Sequence, residues 1–354
     1  MSNKIYINGI SSISAQPQEV FLGVDPVEYS TNIIPAISPD YKAFIPARSL
    51  RRMSKVVKMG ISAARTALLD ASVPMPNAII TGTGEGCKQD TELFLEALLR
   101  QEEALLSPTA FIQSTHNTVG GQIALYLKCT GYNSTYSQVS ASVEAALIDG
   151  MMQFLEHPEY KSVLVGGVDE VSKTISSFLY LDKQLKQEEV SNLQLFKEHS
   201  EGSITSEGAH FFSLSSERSS STYATLQAVT VFQASNAEAV EAEMIQFLVD
   251  NEMPVAKLDL VILGNNGDSR FDYFYAHLQE EVLNETAQIA YKHLVGDYNT
   301  VSGYALWLAC SIFRMGKTSS IFKLNKKEVQ SPKSILIYNQ YLGRDHSFIL
   351  LKSI

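Results

Sequence analysis

The spacing of hydrophobic and polar positions changes at Ser140, near the middle of the chain. Residues 132–139 are rich in Tyr, Thr and Val, which is typical of a strand. From Val143 to Phe154, apolar residues recur at helical spacing in a wide stripe, so the pattern predicts a buried helix. Ser140 then faces the unsatisfied N–H groups and the positive end of that helix, where a nucleophile would be activated. Serine is also a preferred helix N-cap, and either Ser140 or Ser142 fits that second role.

The patterns on either side of Ser140 predict alternating strands and helices. Predicted strands cover residues 4–10, 77–81, 132–139, 162–169, 210–215, 223–233, 258–263, 288–291, 320–324, 334–339 and 346–352. Predicted helices cover residues 51–69, 92–106, 143–154, 237–251, 272–283 and 302–315. Strands separated by helices favour an α/β fold. The order of elements after residue 222 repeats the order before it, so we expect two similar halves, 1–222 and 223–354.

Composition limits the classes of protein that fit. The chain has 354 residues, of which 45% are hydrophobic and 19% charged, as in an ordinary soluble protein. A formal net charge of −10 disfavours nucleic acid and anionic membranes as partners. Signal-peptide and membrane-spanning patterns are absent from the sequence. Three widely spaced cysteines (Cys87, Cys129 and Cys310) argue against a disulfide framework or a zinc site. We expect a cytoplasmic protein without a metal.

The residue patterns of two further segments are explained by local structure. Residues 51–69 predict an amphipathic helix with a basic outer face. Gly82, Gly84 and Gly86 follow a predicted strand, but their spacing matches neither a dinucleotide-binding fingerprint nor a phosphate-binding loop. We assign these glycines to tight backbone packing and expect no cofactor.

Four segments of the chain, taken in order, resemble β-ketoacyl synthases of the thiolase fold. They are residues 50–55 (Leu-Arg-Arg-Met-Ser-Lys), 117–124 (Asn-Thr-Val-Gly-Gly-Gln-Ile-Ala) with 130–133 (Thr-Gly-Tyr-Asn), 166–170 (Gly-Gly-Val-Asp-Glu) and 206–209 (Ser-Glu-Gly-Ala). The resemblance covers nearly the whole chain. It implies a thiolase-like α/β fold, in which two similar βαβαβ-type halves pack as a layered α/β/α/β/α sandwich.

The resemblance also implies that the family's three catalytic positions are replaced. Ketosynthases carry a nucleophilic Cys at the start of the central helix, where this chain has Ser140. Their two histidines, which hydrogen-bond the thioester carbonyl during decarboxylation of the malonyl unit, correspond to Asn266 and Asp297. The family's lysine upstream of the second histidine corresponds to Lys292.

A Gly-rich loop near the end of the family's chain supplies an oxyanion N–H and a gating Phe beside the nucleophile. Residues 341–346 correspond to this loop and keep one of its three glycines. Leu342, Gly343 and Arg344 are, with Thr300, the substrate-binding residues that the resemblance implies. The bulky Leu342 and Arg344 predict a narrowed or closed pocket.

Ser140 needs a general base to act as a nucleophile, because a serine hydroxyl is not ionised at neutral pH. A carboxylate such as Asp297 is a poor base for a serine proton. The histidines that could approach Ser140 in such a fold are His116, His210, His293 and His346. No sequence pattern marks any of them as this base.

Loss of all three catalytic positions on a retained scaffold resembles chain length factors, the inactive halves of ketosynthase heterodimers in polyketide and aryl-polyene pathways. We expect a non-catalytic subunit that pairs with an active ketosynthase or with itself, and that meets an acyl carrier protein through its partner. It would line part of the partner's acyl tunnel. Two alternatives remain open: an acyltransferase or thioester hydrolase that uses Ser140, and a homodimeric acyl-binding scaffold without catalysis.

The expected dimer interface is the strand over residues 134–139, which would pair with its counterpart and extend the sheet. The loop over residues 111–118 would flank it. The residues expected in this interface are Thr135, Tyr136, Gln138, Phe111 and Gln113.

Overall fold

The computed structural model describes residues 4–100, 106 and 108–354. Its strands are β1 (Ile5–Ile13), β2 (Ala78–Gly82), β3 (Tyr132–Tyr136), β4 (Val163–Asp169), β5 (Gly208–Ser215), β6 (Ala224–Gln233), β7 (Leu260–Leu263), β8 (Ala287–Ala290), β9 (Ser334–Tyr341) and β10 (Asp345–Lys352). Its α-helices are α1 (Ala47–Leu50), α2 (Lys55–Asp70), α3 (Lys88–Arg100), α4 (Pro108–Gln113), α5 (Thr118–Leu127), α6 (Ser142–Glu156), α7 (Lys173–Leu181), α8 (Ala237–Asp250), α9 (Tyr273–Glu281), α10 (Lys292–Val295) and α11 (Ser302–Met315). Across the described ranges, none of these helices has the length and apolarity needed to cross a membrane.

The strands form a sheet in the order β3-β2-β4-β5-β1-β6-β10-β9-β7-β8. In the first half, β3, β2 and β4 are parallel, whereas β5 and β1 are antiparallel to their neighbours. In the second half, β8, β7 and β9 are parallel and β10 and β6 antiparallel. The strand order of the first half therefore recurs in the second. The halves meet where β1 pairs with β6 through three residue pairs.

Helices α6 and α11 lie between the two halves of the sheet. α6 contacts β2 and β4 on one side and β6 on the other, and α11 contacts β1, β5 and β9. Their buried side chains, such as Leu147 and Trp307, belong to the central core. α2 and α5 cover the outer face of the first half, and α8 and α9 cover that of the second. The layers thus follow the α/β/α/β/α order expected from the resemblance.

Several predicted elements differ from the observed ones. The predicted strand over residues 320–324 is wrong, because Ser320–Phe322 is a 3-10 helix and only Lys323 bridges to a strand. Its apolar signal comes from Phe322, which is buried in the core, and a short apolar run does not separate strand from helix. The predicted loop over residues 111–118 begins inside α4. The end of the predicted helix over residues 92–106 lies largely outside the described residues.

Candidate functional site

Ser140 lies in a 3-10 turn that connects β3 to α6. Val139, just before it, has φ +50°, a left-handed conformation that is strained for a β-branched residue. The Ser142 hydroxyl lies 2.7 Å from the Val139 carbonyl oxygen and 3.0 Å from that of Thr83, and it accepts the N–H of Gln138 at 2.9 Å. The Ser140 hydroxyl bonds to none of the described residues and lines a cavity. The Ser142 hydroxyl therefore stabilises the turn, whereas the Ser140 hydroxyl has no hydrogen bond to a described residue.

Replacing Ser142 with alanine is expected to lower the free energy of unfolding by about 1–3 kcal/mol, because the Gln138 N–H loses its acceptor inside the fold. Ser140→Ala is the matched control. It removes no hydrogen bond to a described residue and should change the free energy of unfolding by less than about 0.5 kcal/mol. Denaturant unfolding compares the two variants, and equal losses would contradict the role given to Ser142.

Asn266 and Asp297, the residues expected at the positions of the family's two histidines, are in direct contact. The Asn266 side-chain amide donates to Asp297 Oδ2 at 2.7 Å. Lys292 Nζ lies 2.9 Å from Asp297 Oδ1, and the Lys292 side chain is only 2% exposed. Both carboxylate oxygens of Asp297 are thus engaged, one by an amide and one by a buried cation. The three residues form a closed network, which we call the Asp297 network.

The loop that carries Asn266 is held by two further charged residues. The Asp272 carboxylate accepts the backbone N–H of Asn266 at 3.2 Å and that of Gly267 at 2.9 Å. Burial raises the pKa of Asp272 to about 6. Lys186, also buried, donates to the carbonyl oxygens of Gly267 at 2.7 Å and Ser200 at 2.8 Å. These contacts fix the Asn266 amide in its position against Asp297.

A second carboxyl group is buried in the central helix. Glu144 in α6 is fully buried, and its Oε1 accepts the Ser347 hydroxyl at 2.9 Å. Its Oε2 has no hydrogen-bond partner among the described residues. Burial raises the pKa of Glu144, and the charge of Lys292 opposes this shift. Lys292 thus pairs directly with Asp297 and acts on Glu144 only through the field of its charge.

The Ser140 hydroxyl opens into a narrow space, the Ser140 cavity, with a volume of ≈ 90 Å³. Ordinary small-molecule sites have volumes of about 300–1,000 Å³. Lys292 and Asp297 line this cavity together with Ser140. Glu170 also lies in its wall, where burial raises the pKa of its carboxyl group to about 7. The cavity therefore brings the nucleophile position and the Asp297 network together in a polar and confined space.

A larger cleft of ≈ 850 Å³ adjoins the Ser140 cavity and runs between α3 and α7. The two spaces share Val171, Ser172 and Ser176 in their walls. The apolar side chains of Leu93 and Leu181 line this α3–α7 cleft and are 62% and 75% exposed. The cavity therefore opens towards a wider surface cleft whose wall contains both apolar and polar side chains.

The residues expected to bind substrate lie outside the lining of the Ser140 cavity. Leu342, Gly343 and Arg344 form the turn between β9 and β10, and the Arg344 side chain is 73% exposed. Leu342 and Gly343 both have positive φ, as in a tight two-residue hairpin turn, and neither lines the cavity. The preceding residues Gln340 and Tyr341 line it instead.

Thr300 and the four histidines also lie outside the cavity wall. The buried Thr300 donates its backbone N–H to the Asp169 carboxylate at 2.9 Å. His210 bonds to two side-chain hydroxyls, and burial lowers its pKa to about 3. His293 bonds to a backbone carbonyl, and burial lowers its pKa to about 4. Neither His116 nor His346 is among the described lining residues. The wall described here therefore offers Ser140 no histidine base.

The sequence had not singled out Glu144, Lys186 or Gln340. Glu144 had a usable signal, since it is a charged residue in an apolar helical stripe, four positions after Ser140. Lys186 had none, because it belongs to a polar stretch and bonds to a carbonyl 81 residues away.

The expected interface residues lie at one margin of the sheet. Thr135 and Tyr136 belong to β3, the terminal strand in the sheet order. Gln138 is exposed just beyond it. Phe111 in α4 is 57% exposed, and the side chain of Gln113 donates to a backbone carbonyl just before α2. The outer edge of β3 is unpaired within the described chain.

Residues 30–184 match the family model described as "Beta-ketoacyl synthase, N-terminal domain". No curated protein matches the chain. Among solved structures, a β-ketoacyl synthase from Burkholderia phymatum STM815 superposes with a TM-score of 0.83 at 14% identity, over 99% of each chain. The ishigamide ketosynthase/chain length factor gives 0.81 at 14% identity, over 100% of each chain. The ketosynthase ApeO in complex with its chain length factor ApeC, from Xenorhabdus doucetiae, gives 0.76 at 15% identity, over 99% of this chain and 98% of that chain.

Identities this low show a shared fold and nothing finer, and that fold is the one predicted from the four sequence segments. The family model adds a match in sequence over the segment that contains Ser140. Residues 30–184 are therefore similar in sequence to the N-terminal domain of β-ketoacyl synthases, and the whole chain has the thiolase-like fold of the ketosynthases.

Proposed function

We propose that this chain is a non-catalytic β-ketoacyl synthase-like subunit of the chain-length-factor type. It pairs with an active ketosynthase, or otherwise with itself, in polyketide, aryl-polyene or fatty-acid-type biosynthesis. The observation that carries the proposal is the Asp297 network, in which Asn266 and Lys292 each occupy one oxygen of the Asp297 carboxylate.

The Asp297 network is unsuited to decarboxylative condensation. That reaction builds negative charge on a thioester oxygen, and donors must point at this oxygen to stabilise it. Here the Asn266 amide donates to Asp297, and a carboxylate in place of a histidine repels the developing charge. Ser140 is a second obstacle. Its hydroxyl needs a general base to become a nucleophile, and no histidine lies in the described cavity wall.

The sizes of the protein's cavities favour a role in holding an acyl chain. The Ser140 cavity is too small for such a chain, whereas the adjoining α3–α7 cleft has a volume of ≈ 850 Å³ and includes apolar side chains such as Leu93 and Leu181 in its wall. The similar structures include a ketosynthase in complex with its chain length factor, and an acyl-carrier protein in complex with its ketosynthase. We infer that this subunit contributes the cleft to an acyl tunnel shared with a partner ketosynthase, to which an acyl carrier protein delivers the chain.

Incubation of the purified chain with acyl and malonyl carrier protein is expected to release no carbon dioxide and to form no ketoacyl product. Co-expression with an intact ketosynthase should yield a complex that condenses. A Ser140→Cys, Asn266→His, Asp297→His variant is the matched control, because it restores the family's residues on the same scaffold. Condensation by the isolated wild-type chain would refute the proposal. Decarboxylation by the triple variant but not by the wild type would show that the residues at these three positions prevent the reaction.

A second candidate is an acyltransferase or thioester hydrolase that uses Ser140. The observation in its favour is the free Ser140 hydroxyl beside the strained Val139. We expect acyl-CoA or a fluorophosphonate to leave the mass of the intact chain unchanged, since no histidine lies among the described residues of the cavity wall to act as the base. A stable adduct that disappears in Ser140→Ala would establish this second candidate instead.

A further inference from the structure

A polar groove lies at the C-terminal end of α11, and none of the residues that line it lines the Ser140 cavity or the α3–α7 cleft. Its volume of ≈ 550 Å³ falls within the range of small-molecule sites, about 300–1,000 Å³. Four segments form its wall: residues 220–223 before β6, 313–314 in α11, 331–333 before β9 and 353–354 after β10. We call this space the Arg314 groove.

Arg314 is held in one orientation in the groove wall. Its guanidinium lies over the ring of the buried Tyr223, with 3.4 Å between Cζ and the ring centroid. Its Nη1 donates to the Tyr223 hydroxyl at 2.7 Å, and its Nη2 donates to the carbonyl oxygen of Ser221 at 2.7 Å. These bonds leave other N–H groups of the guanidinium available to a ligand. A side chain that is already ordered loses less entropy when it binds an anion.

Lys333 brings a second cation to the groove. Its backbone N–H donates to the Asp259 carboxylate at 2.7 Å, and its carbonyl oxygen accepts the N–H of Ser353 at 2.9 Å. The backbone is thus fixed, while the exposed ammonium group takes part in none of the ion pairs of the described residues, and neither does Arg314. No Asp or Glu is among the described lining residues of the groove.

Three serine hydroxyls in the wall have no hydrogen bond to a described residue. They belong to Ser220, Ser331 and Ser353. Ser331 is held by its backbone N–H, which donates to the carbonyl oxygen of Gly316 at 2.7 Å, just beyond α11. Two cations and three available hydroxyls therefore line one groove, on a chain whose formal net charge is −10.

Asp70 is the carboxylate to weigh against these cations. It lines a neighbouring pocket together with Arg314 and Tyr223, and it adds to the effect of burial in raising the pKa of Tyr223. Its Oδ2 accepts the N–H of Ile10 at 2.9 Å. The charge of Asp70 offsets part of that of Arg314, so the groove retains a net positive charge through Lys333.

We propose that the Arg314 groove binds the phosphate group of a small phosphate monoester, for example a sugar phosphate. Such a group has about 1.5–2 negative charges near neutral pH and three strong acceptor oxygens, which suit two cations and three hydroxyls. A carboxylate, with one charge and two oxygens, would leave some of these donors unused. The net charge of the chain disfavours a nucleic acid as the occupant. This inference is independent of the proposed function.

The test measures binding of glucose 6-phosphate to the full chain by phosphorus NMR, in which the ligand signal broadens on binding. Lys333→Gln is expected to raise Kd at least about 5-fold, because it removes a charge-assisted hydrogen bond to the phosphate. Arg314→Gln is expected to raise Kd at least about 10-fold, although it also removes the contacts with Tyr223. Lys333→Gln changes an exposed side chain and so carries the test even if Arg314→Gln fails to fold.

Lys326→Gln is the matched control for charge. It neutralises an exposed lysine outside the described groove wall and should change Kd less than about 2-fold. Acetate should bind at least about 10-fold more weakly than glucose 6-phosphate, because it has fewer oxygens and less charge. Vesicles that contain phosphatidic acid, a lipid phosphate monoester, should sediment no more of the chain than phosphatidylcholine vesicles do.

Four results would overturn the proposal. The first is a wild-type chain that does not broaden the glucose 6-phosphate signal, and the second is the same Kd in the wild type and in Lys333→Gln. The third is equal affinity for acetate and glucose 6-phosphate, which would make the site a general anion site. The last is sedimentation with phosphatidic acid vesicles without binding of glucose 6-phosphate, which would assign the groove to a membrane surface.

Discussion

Replacing Lys292 with methionine is expected to lower the free energy of unfolding by about 3–5 kcal/mol, the usual result of removing one partner from a buried ion pair. Lys292 is 2% exposed and lies 2.9 Å from Asp297 Oδ1. The change also leaves Glu144 without the cation that opposes the effect of burial on its pKa. Asp297 would keep only the Asn266 amide as a partner for its charge. Denaturant unfolding measures this loss of free energy when the wild type and the variant are fitted with the same m-value.

The control for this prediction is the double variant Lys292→Met, Asp297→Asn, which removes both charges of the pair. It should recover most of the lost stability, because a neutral pair costs much less to bury than a single charge. The Asn266 amide can still donate to the new side-chain oxygen at position 297. A double variant as unstable as Lys292→Met alone would show that Lys292 stabilises the fold by packing and not by charge.

The wild-type chain is expected to be a dimer, and Thr135→Pro is expected to disrupt it and cause aggregation. β3 is the terminal strand of the sheet, so one of its edges is open to a second chain. The Tyr136 carbonyl accepts the N–H of Thr83 at 2.9 Å, beyond the end of β2. The backbone of Tyr136 therefore faces β2, and that of Thr135, one residue earlier, faces the open edge. Proline at position 135 removes an N–H from that edge.

Sedimentation measures this effect at micromolar concentration. Ketosynthase-type interfaces are expected to bury more than about 2,000 Å², so their loss exposes a large apolar surface. Thr135→Ser is the matched control, since it keeps the backbone N–H and should remain dimeric. A soluble, folded monomer of the wild-type chain would remove the basis for the interface and for the paired role.

The sequence was enough to predict the fold class, and it suggested which positions correspond to the family's catalytic residues. The spacing of hydrophobic residues identified the junction at Ser140, because a strand and a buried helix have different spacings and a few residues are enough to show the change. The prediction of the helix over residues 302–315 agrees with α11, whose apolar residues face both halves of the sheet. The repeated order of elements was also visible, because each half folds from consecutive strands and helices. These properties depend on neighbours along the chain.

Only the tertiary structure decided which of these residues meet and what each one does. In the sequence, Ser140 and Ser142 were equally good candidates for the helix N-cap. In the structure, the Ser142 hydroxyl hydrogen-bonds to the carbonyl oxygen of Thr83, which is 59 residues away. Asn266 and Asp297 are 31 residues apart, and their contact requires two loops to converge at the ends of neighbouring strands. Residues 342–344 were expected in the cavity, but a tight turn with two positive φ values keeps them away. Hydrophobic periodicity says which face of an element is buried, whereas hydrogen bonds and ion pairs between distant residues depend on where the folded chain places them.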